Sequence, residues 1–178
     1  MRKRSMPLGK VYSLLEPGPV VLLSTAHQGK NNVMTMSWHT MMDFEPPLLG
    51  CVVSARNFSF TALRSTRQCV LNIPTREIAA QVVQCGNVSG RALDKFAAFG
   101  LMPMPASMVD APLIAQCYAS LECRAVDMRL VNRYNFFILE VVKAWIVSKC
   151  SNPQTLHHRG HGNFMIAGEA VKFPSKMK

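Results

Sequence analysis

The chain has 178 residues, 49% of them hydrophobic, and it carries 20 lysines and arginines against 10 aspartates and glutamates. This apolar content excludes an intrinsically disordered chain, and the length predicts a single domain over residues 1–178. No apolar stretch reaches the roughly 20 residues of a membrane-spanning helix, and the basic start lacks the apolar core of a signal peptide. We therefore expect a cytoplasmic protein without a membrane partner.

The formal net charge of +10 has two explanations. Part of the excess lies in two basic extensions, residues 1–10 and 168–178, which are expected to be mobile and solvated. The other explanation is attraction to anions such as phosphorylated cofactors. No basic run interleaved with aromatic residues occurs in mid-chain, so a nucleic-acid partner is not expected.

The first part of the chain predicts three strands. Residues 20–25 form a β-branched and aliphatic run typical of a buried strand, and a Gly-containing turn leads to a second strand at 32–42. The segment Glu45-Pro46-Pro47 cannot lie inside a helix and separates this strand from a third at 48–54. The first two strands should form a hairpin.

Short elements follow one another in the middle of the chain. A helix at 58–65 is preceded by Asn57, a suitable N-cap, and is followed by a strand at 68–73. Helix formers occupy residues 75–83, and residues 85–90 are rich in Gly, Asn and Ser, which predicts a loop.

The second half predicts a short helix at 94–99, an extended crossing with three prolines at 101–112, and two long strands at 119–130 and 135–147. One short apolar element follows at 164–167. The total is about six strands with short helices inserted between them. Because these strands do not alternate with long helices, we expect a mainly β fold, a small closed or half-closed antiparallel barrel.

Two runs of polar side chains stand out between residues 31 and 61. The first contains Asn32, Thr35, Ser37 and Trp38, and the second contains Ser54, Arg56, Asn57 and Ser59. A phosphate needs several converging donors, and hydroxyls with a guanidinium at a helix N-terminus supply them. The alternative for the second run is simple helix capping beside a solvated arginine.

The alternation of side chains along a strand limits which residues of the first run can contact the same ligand. It places Asn32, Met34, Met36 and Trp38 on one face, so Thr35 needs a bulge or a backbone contact to join them. Plain core packing explains Trp38 equally well on pattern alone.

Other sites receive little support from the sequence. There is no dinucleotide-binding, Walker, nucleophile-elbow or zinc-protease motif, and no catalytic residue is predicted. The six cysteines form no CxxC pair and are expected to be buried thiols, with Cys85 the nearest to a surface site. His157 and His161 have a helical metal-ligand spacing, but Gly160 and Gly162 argue against a helix. We therefore predict no metal site and interpret this segment as a loop over a ligand.

Five motifs, taken together, resemble the flavin reductase-like family, with the flavoredoxins and related FMN-binding split-barrel proteins nearest in pattern. They are NVMTMSW at 32–38, EPP at 45–47, SARNFS at 54–59, VLNIP at 70–74, and CGNVSGR at 85–91 with DKF at 94–96. Their order and spacing match the family over residues 8–147. The resemblance implies a six-stranded antiparallel Greek-key split barrel that forms a homodimer with FMN near the dimer interface.

The resemblance also implies roles for particular residues. Flavin and ribityl contacts fall on Asn32, Thr35 and Trp38, the phosphate site on Ser54, Arg56, Asn57 and Ser59, and further cofactor contacts on Ser89, Arg91, Lys95 and Phe164. Relatives often carry a histidine before the last long strand, where this chain has Arg133-Tyr134-Asn135. A proton-donor or pyridine-nucleotide role at this position therefore does not follow from the resemblance.

The implied activity is that of an FMN-dependent oxidoreductase. Such a protein takes hydride from NADH or NADPH at the flavin N5 and passes electrons to a small-molecule or protein acceptor. Two alternatives stay open from the sequence. One is a flavoredoxin-type electron carrier without direct NAD(P)H oxidation, and the other is a ligand-binding split-barrel module without redox chemistry.

Overall fold

The computed structural model describes residues 3–11, 18–148 and 150–175. The strands of its main sheet are β1 (Lys3–Met6), β2 (Val21–His27), β3 (Lys30–Met36), β4 (His39–Phe44), β5 (Pro47–Val52), β6 (Gln68–Ile73), β9 (Ala119–Asp127) and β10 (Phe136–Val147). Two short pairs are β7 (Pro103–Met104) with β8 (Leu113–Ile114), and β11 (Leu156–His158) with β12 (Phe164–Ile166). The helices are α1 (Phe58–Thr66), α2 (Ala79–Asn87), α3 (Lys95–Ala98) and α4 (Val131–Tyr134), with 3-10 turns at Leu8–Lys10 and Arg76–Ile78.

The main sheet is antiparallel throughout, in the order β3-β2-β6-β9-β10-β5-β4, with β1 added on β10. Several neighbours are not consecutive in the chain, as in Greek-key sheets. Within the described ranges no strand pairing joins β3 to β4, so the sheet is open along that line. None of the helices that the structure describes is long and apolar enough to cross a membrane.

The prediction of a mainly β antiparallel fold with short helices is confirmed, but the main sheet has eight described strands rather than six. One extra strand arises because the strand expected at 32–42 is two strands. β3 pairs with β2 whereas β4 pairs with β5, so the chain must break between them at Ser37 and Trp38. The backbone carbonyl of Trp38 at this break accepts a hydrogen bond of 3.0 Å from the N–H of Val52.

The other extra strand corrects the expectation of a mobile N-terminal extension. Lys3–Met6 forms β1 and pairs with β10. β10 is 12 residues long and pairs with β5 only through Glu140, so its later backbone groups are open to another strand. Pairing with β1 satisfies them.

Two features of the 75–90 region also differ from prediction. α2 continues to Asn87, so Cys85 and Gly86 lie in a helix rather than in a loop. Cys85 points into the protein with Val82, three residues earlier on the same helix face, and is buried. The expectation that Cys85 is the cysteine nearest a surface site is therefore wrong. The other cysteines are buried as expected except Cys150, which is partly exposed.

The core is divided by the sheet. Inward-facing residues such as Leu23, Leu71 and Leu139 fill the barrel interior. Residues on the opposite face of β2 and β3, including Leu22 and Val33, pack against α2, α3 and the C-terminal hairpin. This alternation follows from the two-residue period of a strand.

Asn72 in β6 joins three parts of the fold. Its buried amide donates to the carbonyl of Leu22 (3.2 Å) and accepts from the hydroxyl of Ser120 (2.7 Å) and the N–H of Ile114 (2.9 Å). β2, β9 and the end of the proline-rich crossing are thereby tied to one side chain. A buried amide without these partners would cost stability.

Glu122 in β9 binds the middle of the same crossing, at Ser107 and Met108. Its carboxylate is fully buried and accepts hydrogen bonds from the N–H of Ser107 (3.0 and 3.1 Å), the N–H of Met108 (2.6 Å) and the indole of Trp145 (2.7 Å). Burial is the largest single influence and opposes ionisation, but the hydrogen bonds from Trp145, Ser107 and Met108 together outweigh it. The pKa of Glu122 is therefore held below its ordinary value.

We expect Glu122→Gln to lower the free energy of unfolding at pH 7 by about 3 kcal/mol, because an amide cannot satisfy all the donors that face the carboxylate. The folded pKa lies below the unfolded one, so the contribution of Glu122 is fully present above about pH 4.3 and is lost as pH falls through the folded pKa. Urea unfolding between pH 3 and 7 should show a weaker acid dependence for the variant.

Asp110→Asn is a matched control, because Asp110 lies in the same crossing but is exposed. We expect it to change stability by less than about 0.5 kcal/mol. Equal losses in the two variants would contradict the role assigned to Glu122.

Candidate functional site

The two faces of β3 carry different candidate residues. Asn32, Met34 and Met36 face the barrel interior, whereas Val33 and Thr35 face the α2 side. The register of β3 with β2 is continuous, so no bulge brings Thr35 round to the Asn32 face. The hydroxyl of Thr35 instead donates to the carbonyl of Val82 in α2, at 2.5 Å.

Residues 86–91 run beside β3 in the opposite direction. Gly86 lies against Thr35, and Gly90 lies against Asn32. A Cβ atom on Gly90 would be 2.0 Å from Oδ1 of Asn32, whereas one on Gly86 would be 3.5 Å from Cβ of Thr35. A larger residue at position 90 would therefore force the side chains of Asn32 and Phe58 to move, so glycine allows the close approach to β3.

A cleft of about 280 Å³ opens at the Thr35 end of this arrangement, and we call it the strand cleft. Its lining is Val20, Thr35, Met36, Ser37, Val82, Val83, Gly86, Asn87, His158, Gly162 and Phe164. Apolar walls with a few hydroxyl and backbone groups suit a flat, mostly apolar ring. Two predicted contacts, Thr35 and Phe164, lie here.

The C-terminal hairpin forms one wall of the strand cleft. His158 in β11 is paired with Phe164 in β12, and their rings are 5.2 Å apart between centroids. His157 and His158 lie in β11 rather than in a loop, and His158 and Gly162 line the strand cleft. That the segment lies over a ligand stays a prediction. Nε2 of His157 lies 3.0 Å from the hydroxyl of Thr155. In the described part of the chain no group of three His, Cys, Asp or Glu residues could hold a metal.

A second cleft of about 530 Å³ opens at the other end of β3, and we call it the turn cleft. Its lining is Gly29, Lys30, Asn31, Phe58, Gly90, Arg91, Leu93, Asp94, Phe96 and Pro103. The guanidinium of Arg91 lies over the ring of Phe58, 5.9 Å from its centroid. Arg91 is the predicted cofactor contact that lines this cleft. Ser89, another predicted contact, is exposed beside it, and its hydroxyl accepts a hydrogen bond from the N–H of Arg91 (3.3 Å).

The predicted phosphate turn lies between β5 and α1. The hydroxyl of Ser54 accepts a hydrogen bond from the N–H of Arg56 (3.3 Å), and the carbonyl of Ser54 accepts one from the N–H of Asn57 (2.9 Å). Asn57 occupies the N-cap position but makes no side-chain capping hydrogen bond, and Arg56 is exposed. The side-chain hydrogen bond that the capping explanation requires is therefore missing. The hydroxyl of Ser54, the amide of Asn57 and the guanidinium of Arg56 lie together at the N-terminus of α1.

One hydrogen bond connects this turn with β3. Nδ2 of Asn32 donates to the hydroxyl of Ser59 at 2.7 Å, and both side chains are buried. Asn32 is therefore held by Ser59 on one side and by Gly90 on the other. Trp38 is 72% exposed at the β3–β4 break, so the core-packing explanation for Trp38 is wrong for the single chain.

Lys95 is the buried cation of this region. Its side chain is 4% exposed, and its ammonium donates to the carbonyl of Cys85 (2.7 Å) in the last turn of α2. Burial lowers the pKa of Lys95, and the neighbouring Cys85 opposes this change. Burial also raises the pKa of the Cys85 thiol to about 11, against a smaller opposing effect of Lys95, so this thiol is not a nucleophile at neutral pH.

Sequence reasoning missed several residues that shape these clefts. Val82, Phe58, Lys30 and His158 line them, yet none was singled out for a contact. Only the His-rich segment around His158 carried a signal, as a loop over a ligand.

We expect Gly90→Ala to lower the free energy of unfolding by about 1–3 kcal/mol, because its methyl group would overlap Oδ1 of Asn32 and Cδ1 of Phe58. Chemical denaturation of the ligand-free protein measures this loss. Gly86→Ala is the control, since its methyl group meets Thr35 at ordinary contact distance within a helix. This control should be neutral or more stable by up to about 1 kcal/mol, and a loss as large as that of Gly90→Ala would refute the argument.

Comparison with known proteins places this geometry in context. A model of the family described as flavin reductase like domain matches residues 14–164. The FMN-binding domain of a flavin reductases-like enzyme from Shewanella baltica OS155 superposes with a TM-score of 0.90 at 26% identity, covering 97% of this chain and 98% of that one. Flavoredoxin of Desulfovibrio vulgaris (Miyazaki F) superposes with a TM-score of 0.82 at 20% identity, covering 89% and 91%, which is a likeness of fold.

A relative by sequence is an uncharacterized protein of Archaeoglobus fulgidus, 29% identical over 113 residues. The match covers 64% of this chain and 64% of that relative, so the chain spans just under two thirds of its length. The superpositions confirm the predicted split-barrel class, and the family model covers most of the chain. The chain therefore belongs to the flavin reductase-like domain family.

Proposed function

We propose that the chain binds FMN along β3, with the ring in the strand cleft and the phosphate at the N-terminus of α1, and works as an NAD(P)H-dependent flavin oxidoreductase. The observation that carries the proposal is the Asn32–Ser59 hydrogen bond. It joins a strand that borders an apolar cleft to a turn rich in phosphate-binding groups. The FMN-binding Shewanella baltica relative, similar over nearly its whole length, supports the same cofactor.

The residues present fit the two ends of FMN. Thr35 and Phe164 would lie along the ring, and Asn32 would contact the ribityl region beside it. Ser54, Arg56 and Asn57 would bind the phosphate with hydroxyl, guanidinium and amide groups at the N-terminus of α1. Ser59 would act on this site mainly by holding Asn32, because its hydroxyl is buried and already accepts from that amide.

When bound, FMN supplies hydride chemistry at its N5 position. The protein's own part is positional and electrostatic. Lys95 brings a buried positive charge to the helix end beside Gly86, where it would favour a flavin that gains negative charge on reduction. Trp38 and Arg91 would complete the site from the β3–β4 break and from the turn cleft.

The first test is an absorbance spectrum of the purified protein with FMN, before and after anaerobic NADH or NADPH. We expect tight FMN binding and loss of the oxidised-flavin band with at least one donor. Binding without reduction by either donor would favour a flavoredoxin-type electron carrier. Failure to bind FMN would leave the non-redox module as the better hypothesis.

The phosphate assignment is tested in the same titration with Arg56→Ala. We expect FMN affinity to fall by about 1.5–3 kcal/mol, because a charge-assisted hydrogen bond is lost, while riboflavin affinity stays unchanged. Arg64→Ala, an exposed arginine at the other end of α1, is the control and should bind FMN normally. Equal effects on FMN and riboflavin would place the phosphate elsewhere.

We also propose that the chain forms a homodimer through the outer face of β4, β5 and β10. Met42 and Phe44 are 46% and 50% exposed there, and Phe136 crosses Gly50 toward Met42. Such a face is costly to leave in water. Light scattering should give a mass of twice 19.8 kDa, the mass of one chain. Met42→Glu should lower the measured mass, whereas Met102→Glu, at an exposed methionine outside this face, should leave it unchanged. A monomeric wild-type chain would contradict this proposal.

A further inference from the structure

The turn cleft is larger than the strand cleft, and the proposed FMN site leaves most of it unused. Its volume is about 530 Å³, against about 280 Å³ for the strand cleft. This size falls within the roughly 300–1,000 Å³ of small-molecule sites. The flavin ring, the ribityl chain and the phosphate are assigned to the strand cleft, to Asn32 and to the N-terminus of α1. Among the residues that line the turn cleft, Arg91 alone has a part in that assignment.

The walls of the turn cleft combine an exposed aromatic ring with two cations. Phe58 is 36% exposed, and the guanidinium of Arg91 lies 5.9 Å from the centre of its ring. Lys30 lines the same cleft from the β2–β3 turn. The apolar part of the lining is Leu93, Phe96 and Pro103. This combination suits a planar base that carries a phosphate, because bases stack on aromatic rings and phosphates bind cations.

Neither cation is neutralised by a carboxylate. Within the described ranges Lys30 and Arg91 form no ion pair. The carboxylate that lines the cleft, Asp94, is the N-cap of α3, and its Oδ1 accepts hydrogen bonds from the N–H groups of Phe96 (2.9 Å) and Ala97 (3.3 Å). The positive charge of Lys30 and Arg91 is therefore available to an anionic ligand.

The turn cleft adjoins the proposed FMN site at two points. Phe58 directly follows Asn57 of the phosphate turn, and consecutive Cα atoms are about 3.8 Å apart. Gly90, another lining residue, lies against Asn32, the residue assigned to the ribityl chain. A short group attached to the FMN phosphate is therefore within reach of the turn cleft.

We propose that the turn cleft binds the adenylate half of FAD, so that the chain takes FAD in preference to FMN. This inference rests on the proposed function, because the FMN half of the molecule sets the position of the adenylate. The adenine would stack against Phe58, and the second phosphate would bind Lys30 and the guanidinium of Arg91.

Titrations of the flavin-free protein with FMN and with FAD measure the contribution of the turn cleft. We expect FAD to bind about 10-fold more tightly than FMN, because a stacked base and a second phosphate add to binding. Phe58→Leu and Lys30→Ala should each remove most of this preference and leave FMN affinity unchanged. Phe173→Leu and Lys172→Ala, at exposed positions near the C-terminus, are the matched controls and should keep the preference.

A second measurement locates the adenylate independently of affinity. In protein with labelled phenylalanine, the ring resonances of Phe58 should differ between the FAD and FMN complexes, whereas those of Phe173 should coincide. Equal affinities for FMN and FAD, or Phe58 resonances that are the same in both complexes, would overturn the inference.

The electron donor also carries an adenylate, so NADPH is added to the FMN-loaded protein in the same experiment. A shift of the Phe58 resonances by NADPH, in a protein that shows no preference for FAD, would likewise overturn the inference. Failure of the wild type to bind either flavin is a separate observation and would instead remove the proposed function.

Discussion

The close approach of residues 86–90 to β3 is the constraint on which both clefts depend. Gly90 lets the backbone come within contact distance of Asn32, and Gly86 lies against Thr35 at ordinary contact distance. Two hydrogen bonds keep the segment there, from Thr35 to the carbonyl of Val82 and from Lys95 to the carbonyl of Cys85. A wider separation would merge the clefts, and a larger residue at position 90 would push Asn32 from its place.

The rest of the fold leaves this face of β3 available. The proline-rich crossing covers the same outer face of the sheet farther along, over β6 and β9, where the buried side chains of Asn72 and Glu122 bind it. The polar groups of both side chains are hydrogen-bonded, so burying them costs little free energy of folding. Their hydrogen bonds fix the position of the crossing on the sheet. The site and the covering crossing thus occupy separate regions built on one continuous sheet.

Charge is distributed sparsely around the candidate site. Arg56 and Arg91 are exposed near the turn end, Lys95 is buried behind the 86–90 segment, and no Lys, Arg, Asp or Glu lines the strand cleft. This arrangement suits a cofactor that brings its own reactive group, because the protein need only position it, balance its charge and supply protons. The overall charge of +10 is consistent with an anionic ligand.

Local pattern in the sequence determined most of the strands, the β2–β3 hairpin, the helix after Asn57 and the opposite orientation of Asn32 and Thr35. These follow from side-chain periodicity and turn chemistry within a few residues. Only the tertiary structure decided that the chain breaks at Trp38 to change strand partners, that α2 continues through Gly86, and that His158 reaches the cleft. Such outcomes depend on which distant backbone groups remain unpaired and which surfaces pack, and local periodicity carries no information about either.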